Sequence, residues 1–450
     1  MTPFTIAIIV FLILMAMIFL GIPVFVAMMI CAFGGLIWIK GGNPVMAMSI
    51  FTQTPFASSA SFNYAVIPLF MIVGTLADIT GIAEGAFASM RAWLGRVKGG
   101  MLFTVVGANA VFGACSGSSV AGSVVFGKMA MPELRKLGYD ESYSMGCICA
   151  SGALSSLIPP SMSIIMFCLL APSPVSFNGH NLTMSVGTAL TCGIIPGILT
   201  AILLCVTVRI IGRVKKGSIP QPAGEKIPMR EKLRSLRFLI PILLLFCLII
   251  GGTMLGWFPA TIGGAIGAVA IIVYAIAKRI PFKRILDCVM EAAVMEGAIF
   301  LIILSGSIFS SFISVSGLAS YLARVIANVN AAPFLIYTLV IIFYIFCGCV
   351  MDILSIIIIT VPVVLPVLCG LGFNPYMLVI TLCFMTEIAS ITPPIGMNVF
   401  TTANALRTSP AKIFKGVLPY FLCELAAVFI LALLPQLVTF LPSAMGLTVS

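Results

Sequence analysis

The sequence predicts an all-α integral membrane protein with about eleven transmembrane helices and two re-entrant hairpins. Of its 450 residues, 61% are hydrophobic and 8% are charged, whereas about 25% of the residues in a soluble domain are charged. Long runs carry no charge at all, and they cover residues 1–39, 142–208, 238–277, 325–351 and 353–386. Each run can hold at least one apolar span of about 20 residues. A soluble enzyme, a disordered chain and a fibrous repeat are therefore excluded.

The net charge of +11 comes from 24 basic and 13 acidic residues. Nine of the basic residues lie between Arg209 and Arg237, and four more lie at positions 278–284. Clustered Lys and Arg in short loops mark the cytoplasmic side of a membrane protein. We therefore interpret this charge as a topology signal, although a basic loop could also bind lipid headgroups, and we expect no nucleic-acid partner.

Fourteen cysteines fall mostly within apolar segments, where cysteine behaves as a small hydrophobic residue. The closely spaced pairs are C-x-C rather than C-x-x-C, at 147/149 and 347/349, and have no histidine nearby. Metal or redox roles are not indicated. A phosphate-binding loop is also missing from the sequence, so an ion gradient is the expected energy source.

The chain divides into two similar halves. Residues 1–208 form the first half, residues 209–237 a cytoplasmic basic linker, and residues 238–450 the second half. A shift of 234 positions aligns Ser156-Leu-Ile-Pro-Pro160 with Ser390-Ile-Thr-Pro-Pro394, and Leu137-Gly-Tyr-Asp140 with Leu371-Gly-Phe-Asn374. Internal duplication of this kind is typical of secondary transporters. The residues leave open whether the repeats are parallel or inverted.

Two segments cannot be ordinary spans, and glycine and serine dominate the first of them. The first covers residues 113–123, and its counterpart covers residues 348–355. The apolar stretches that flank the first are too short to be separate spans, so we predict the tip of a re-entrant hairpin at each segment. Irregular backbone at membrane depth is tolerated only inside protein or beside a cavity, which makes both tips candidate binding sites.

Two double prolines predict helices that break inside the membrane, near residues 155–161 and 390–396. Proline removes an amide donor and disfavours helical geometry in the residue before it. The carbonyls at the end of the first half-helix can hold a cation, and the amides at the start of the second can hold an anion. Together with the two hairpin tips, these make four interruptions of helices that are paired by the repeat. Such a set favours a substrate and ion site over simple helix packing.

Two acidic residues stand within long uncharged stretches. Asp352 separates uncharged runs of 27 and 34 residues, and Glu387 ends the second of them. A carboxylate at the bilayer centre costs about 2.5–3.5 kcal/mol, so each is a candidate for a cation or proton role. We interpret Asp78, Glu291 and Glu296 as charges near membrane ends or paired with basic residues.

At these motifs the chain resembles the large membrane subunit (M component) of the tripartite ATP-independent periplasmic (TRAP) transporters. The resemblance rests on residues 112–121, 131–133, 138–140 and 158–162 in the first half, and on residues 348–352, 371–372 and 391–396 in the second. Ala389 is a departure, because the family more often has glycine there, and Tyr143-Ser144 is another.

The resemblance implies inverted repeats and an elevator mechanism, in which a transport domain moves against a scaffold. It implies a sodium-coupled secondary symporter, not an enzyme, that takes up an organic acid anion such as a dicarboxylate, a sugar acid or a sialic acid. The implied partners are a small four-helix membrane subunit and a periplasmic substrate-binding protein. The implied location is the inner membrane of a bacterium or archaeon, as a multi-pass protein.

Carried over by position, the resemblance implies two sodium sites and one substrate site. The first sodium site comprises Ser116, Gly117, Ser118, Ser155, Ser156 and Pro159. The second comprises Gly348, Asp352, Ser390, Thr392 and Pro393. The substrate site comprises Ser118, Ser119, Pro160, Ser161, Pro394, Ile395, Gly396 and Asn398. Glu387 is a further candidate buried acid.

Two alternatives remain at this point. A stand-alone ion-coupled dicarboxylate carrier or antiporter of related architecture would need no partner proteins. An intramembrane protease would need a nucleophile with a base, or a metal cluster, at membrane depth, and no histidine or lysine is expected at that depth beside Ser118.

Overall fold

The computed structural model describes residues 2–177, 179–220, 228–328, 332–349, 351–394 and 396–449. Val350 and Ile395, which belong to the predicted hairpin tip and substrate site, lie outside the described residues. The described chain is mainly helical. Two short strands, β1 at Val175–Phe177 and β2 at His180–Leu182, pair antiparallel with Val175 opposite Leu182.

Eleven helices lie in the described residues up to Val214, so the last of them enters the segment predicted as a linker. They are α1 Pro3–Phe19, α2 Val24–Ile39, α3 Pro44–Ser59, α4 Val66–Ile79, α5 Ile82–Leu94, α6 Gly100–Ser116, α7 Ser119–Lys136, α8 Glu141–Leu157, α9 Met162–Leu170, α10 Val186–Cys192 and α11 Ile194–Val214.

Twelve more helices lie in the described residues from Met229 onward, and the first of them is still within the segment 209–237 predicted as a linker. They are α12 Met229–Ser235, α13 Ile240–Phe246, α14 Gly252–Met254, α15 Ala260–Ala277, α16 Phe282–Ser316, α17 Leu318–Asn328, α18 Pro333–Gly348, α19 Ile353–Gly370, α20 Pro375–Ala389, α21 Met397–Leu406, α22 Pro410–Leu433 and α23 Gln436–Ala444. Short 3₁₀ turns lie at Phe62–Ala65 and Leu236–Phe238, and a π-helical turn lies at Cys247–Gly251.

By length and composition, six helices among the described residues can cross a membrane, or up to eight if each of two bent pairs counts as one span. One bent pair is α8 with α9, which meet at 48°. Five further apolar helices, α1, α2, α6, α18 and α20, are shorter. The helical membrane class is thus confirmed, while the count of about eleven spans stays a prediction.

Several helices expose apolar stripes that a soluble protein would bury. On α11, Ile198, Ile202, Val206 and Ile210 are all exposed. Residues four apart lie on one helix face, so these side chains form a continuous outward ridge. Such a large exposed apolar surface fits contact with lipid chains rather than water.

The order of elements repeats in the two halves. A hairpin of α6 and α7 precedes the bent pair α8 and α9, and a hairpin of α18 and α19 precedes α20 and α21. Each hairpin packs on the helix that follows it. The second helix of each hairpin also contacts the other half of the chain, since α7 packs on α21 and α19 packs on α9. The two tips and the two breaks are thereby held in one packed unit.

A second group of helices lies against this unit. The 35-residue helix α16 packs on α2, α3 and α4, and α15 also packs on α4. These helices place one wall, made by α4 and α16, opposite the first hairpin tip.

Candidate functional site

The first hairpin reverses over two residues. Helix α6 ends at Ser116, and Gly117 adopts a left-handed backbone with φ +57°, which glycine tolerates at little cost. Ser118 then caps α7, because its Oγ accepts a hydrogen bond from the Ala121 amide at 3.3 Å. The Gly117 amide donates to the Gly113 carbonyl at 3.0 Å, and the Ser118 carbonyl accepts from the Gly122 amide at 3.2 Å, so the tip joins the ends of both helices directly.

This tip packs tightly against the first helix break. The Ser155 hydroxyl donates to the Ser118 carbonyl at 2.9 Å and to the Gly152 carbonyl at 2.7 Å. A methyl group on Gly113 would contact the Ser155 carbonyl oxygen, and one on Gly117 would contact the Pro160 carbonyl oxygen. Hydroxyl and carbonyl oxygens from both segments thus converge around Gly117, and oxygen atoms are the ligands that small hard cations prefer.

The first break lies between α8 and α9. Ile158 leaves helical geometry, the Pro159–Pro160 peptide bond is cis, and Ser161 caps α9 by accepting from the Ile164 amide at 3.3 Å. The Ser156 hydroxyl donates to the Ala153 carbonyl at 3.1 Å.

At the second tip Asp352 acts as a helix cap. Its Oδ2 accepts from the Ser355 amide at 3.1 Å, and its Oδ1 contacts the Ser355 hydroxyl. A cap of this kind stabilises a helix by about 0.5–2 kcal/mol. The carboxylate is half-buried, so it remains close enough to the tip to interact with a bound ion as well.

The second break packs on the second hairpin. The Ser390 hydroxyl donates to the Glu387 carbonyl at 2.6 Å, and the Thr392 hydroxyl donates to the Ile388 carbonyl at 2.9 Å. The Cys349 thiol donates to the Pro393 carbonyl at 3.0 Å. Gly348 lies directly against the Ala389 methyl group, so the absence of a side chain at Gly348 makes room for the alanine that departs from the family pattern.

A cavity of about 350 Å³ opens beside the first tip. Residues 116–121, Ser163 and Glu387 form one side, together with Ile353 and Leu354 at the start of α19. Helices α4 and α16 form the other side through Gly74, Thr75, Asp78, Cys288, Glu291 and Met295. This cavity is the candidate substrate site.

The predicted substrate residues divide into two groups. Ser118 and Ser119 line the cavity. Pro160, Ser161, Pro394, Gly396 and Asn398 are not among the described residues that line it. Asn398 is fully buried, and its carboxamide Nδ2 donates to the Cys149 carbonyl of α8 at 3.4 Å.

Glu387 joins the two halves of the chain. It is 2% exposed, and its Oε1 accepts from the Ser163 hydroxyl at 2.8 Å, although the two residues are 224 positions apart. The side chains of Ser119 and Ser156 also face this carboxyl group. Its Oε2 has no hydrogen-bond partner among the described residues. The carboxyl group therefore lies where the first tip, the first break and the cavity meet.

Asp78 and Glu291 also line the cavity, which the sequence analysis missed. They interact with each other across α4 and α16, and neither forms an ion pair with a basic residue in the described part of the chain. Of the two interpretations predicted for them, pairing with a basic residue is not found among the described residues, and a position near a membrane end stays a prediction. The one local signal in the sequence was the small Gly74 and the polar Thr75, which lie one turn before Asp78 and line the same cavity. Glu296 lies outside the lining.

The fold and the site define a helical membrane protein of the transporter class, since paired hairpins and broken helices around a cavity are typical of secondary transporters. The family model of the tripartite ATP-independent periplasmic transporters, DctM component, matches residues 11–437. The chain belongs to this family and is a TRAP large permease component.

Two named relatives agree with this assignment, and a solved structure shows a similar fold. The C4-dicarboxylate TRAP transporter large permease protein DctM of Pseudomonas aeruginosa is 27% identical over 87% of this chain and 89% of its own length. The sialic acid TRAP transporter permease protein SiaT of Haemophilus influenzae is 26% identical over 87% of this chain and 62% of its own length. The crystal structure of the Alcanivorax borkumensis YdaH transporter has a similar fold, with a TM-score of 0.60, 16% identity and 89% coverage of both chains.

Proposed function

We propose that this chain is the permease of a sodium-coupled uptake system for an organic acid, which it moves by an elevator mechanism. Its partners would be a small four-helix membrane subunit and a periplasmic substrate-binding protein. The complex would lie in the inner membrane of the cell. The substrate class follows the relatives, which are named for C4-dicarboxylates and sialic acid.

The observation that carries sodium coupling is the charge of the cavity. Asp78, Glu291 and Glu387 line it, and none of its described lining residues is Lys, Arg or His. Two like charges 4 Å apart repel by about 4 kcal/mol at the effective dielectric constant near a protein surface. An anionic substrate can therefore occupy the cavity only if bound cations or protons compensate these acids, and we propose that sodium ions do so.

The first hairpin tip is the proposed location of one such cation. Hydroxyl and carbonyl oxygens of Ser118 and Ser155 lie within hydrogen-bonding distance of each other there, and the Glu387 carboxyl group lies next to the tip. A sodium ion at this tip would attract the substrate carboxylate toward Ser118 and Ser119. The second cation would lie at the second tip, near Asp352, Ser390 and Thr392.

Uptake in proteoliposomes tests the proposal. The chain is reconstituted with and without its small subunit and binding protein, and uptake of labelled succinate and sialic acid is followed with an inward sodium gradient or with choline in its place. We expect uptake only with all three components and with sodium. Uptake by this chain alone would support the stand-alone carrier instead, and uptake unaffected by sodium would reject the coupling ion.

Two substitutions at Asp352 distinguish its role as a helix cap from the role of its negative charge in sodium binding. Asparagine caps helices about as well as aspartate, whereas alanine loses about 1 kcal/mol. We expect Asp352→Asn to keep the unfolding temperature of the wild type but to raise the sodium concentration for half-maximal uptake. Asp352→Ala should lower the unfolding temperature as well. An unchanged sodium response in Asp352→Asn would leave Asp352 with a capping role alone.

A further inference from the structure

A second set of buried polar groups lies between α8, α21 and α22, away from the cavity. Asn398 and Thr402 are one turn apart on α21, and Tyr420 and Glu424 are one turn apart on α22. All four side chains are 0% exposed. Residues four apart share one helix face, so each pair can point toward the same neighbour.

That neighbour is α8. Asn398 donates to the Cys149 carbonyl, and the Cys149 thiol lies beside both Thr402 and Glu424. Two residues earlier on α8, the Cys147 thiol lies beside Tyr420 and also interacts with Glu424. The amide, hydroxyl and carboxyl groups of α21 and α22 therefore surround the same turn of α8.

Five oxygen atoms of this set have no hydrogen-bond partner among the described residues. They are Asn398 Oδ1, Thr402 Oγ1, Tyr420 Oη and both carboxyl oxygens of Glu424. Buried polar atoms nearly always have a partner, and an unpaired buried carboxylate is the most costly exception. Because these oxygens belong to side chains that surround residues 147–149 of α8, we interpret them as partners of a shared ligand rather than as isolated defects.

The ligand must bring positive charge. The charged group that acts on Glu424 is another acid, Glu387, and Glu424 forms none of the ion pairs of the described chain. Two buried acids that repel each other without a basic side chain nearby require a cation or a proton. A set of carboxylate, carboxamide and hydroxyl oxygens matches a hard cation, and a single carboxylate balances one positive charge.

We propose that Glu424, Thr402 and Asn398 form a binding site for a sodium ion inside the packed unit of α8, α21 and α22. This site differs from the two proposed at the hairpin tips. The Asn398 backbone amide donates to the Ser390 carbonyl at 3.1 Å, so an ion held here also fixes the start of α21 relative to the second break. Its occupancy would stabilise the tip-bearing unit whether or not the tip ions drive uptake.

The test measures binding of radioactive sodium and the unfolding temperature of the full chain in lipid nanodiscs, in sodium chloride and in choline chloride. The variants are Glu424→Gln and Thr402→Val. Thr381→Val is the matched control, since Thr381 is equally buried but its hydroxyl is satisfied by the Met377 carbonyl of its own helix at 2.9 Å. We expect Glu424→Gln to bind one sodium ion fewer than the wild type. Thr402→Val should raise the sodium concentration for half-maximal binding by about tenfold, which corresponds to about 1.4 kcal/mol, and Thr381→Val should change neither.

Full sodium binding by both site variants, with an unchanged sodium-dependent rise in unfolding temperature, would overturn the proposal and identify Glu424 as a protonated acid. Should Glu424→Gln fail to fold, Thr402→Val still decides, because it keeps the carboxyl group. Ser155→Ala at the first tip separates this site from the proposed coupling sites. If Glu424→Gln loses a bound ion and Ser155→Ala does not, the result supports this site and rejects the first coupling site. If Ser155→Ala loses an ion and Glu424→Gln does not, this site is rejected and the first coupling site is kept.

Discussion

Replacing Gly113 by alanine is expected to abolish uptake and to destabilise the protein. The new methyl group would lie 2.7 Å from the Ser155 Cα and 2.9 Å from the Ser155 carbonyl carbon, and it would contact the carbonyl oxygen more closely still. These are backbone atoms of α8, so no side chain can rotate away. Overpacking of this kind costs about 1–3 kcal/mol, and here it would push the first hairpin tip away from the first break.

The measurement is uptake in proteoliposomes together with the unfolding temperature of the purified variant. Gly297→Ala is the matched control, because Gly297 is also within a helix but has open space around its Cα. There the alanine should be neutral or add about 0.5–1 kcal/mol of stability. Normal uptake by the Gly113→Ala variant would show that the close packing of tip and break is not needed for transport.

Replacing Glu387 by glutamine should reduce uptake strongly while leaving the fold intact. Glutamine keeps an oxygen that can accept from Ser163, so the packing of α20 against α9 is preserved. What is lost is the negative charge beside the first tip. Hydrogen bonds and contacts to charged groups contribute about 1.5–3 kcal/mol, which corresponds to a decrease of about tenfold to a hundredfold in ion affinity.

This prediction is checked by measuring uptake against sodium concentration. Asp287→Asn serves as the control, since Asp287 is an acid of α16 that does not line the cavity. Ser163→Ala removes the hydrogen bond at 2.8 Å but keeps the charge, so it should lower stability more than it changes the sodium response. Wild-type sodium dependence in Glu387→Gln would remove the carboxyl group from the coupling mechanism.

Both predictions concern a region whose general position could be predicted from the sequence. Glycine and proline change the backbone at their own position. Gly117 permits a left-handed turn, and the two prolines after Ile158 end a helix whatever the rest of the chain does. The helical membrane class followed in the same way from the scarcity of charge. These features depend on a few adjacent residues, and they were also the motifs that carried the resemblance to the family.

The details of the site could not be predicted in this way, because they depend on contacts between distant segments. Glu387 meets Ser163 across 224 positions, and Asn398 turns toward α8 rather than toward the cavity. Asp78 and Glu291 line one cavity because α4 and α16 pack together, and the sequence signals this only through Gly74 and Thr75, one turn before Asp78.

The sequence by itself determined where the backbone leaves the helix, since that choice is made by the chemistry of single residues and their immediate neighbours. The tertiary structure alone decided which oxygens converge, which acids share a cavity and which are buried together. Side-chain direction and burial are set by packing between helices from both halves of the chain, and such long-range contacts leave no local pattern to read.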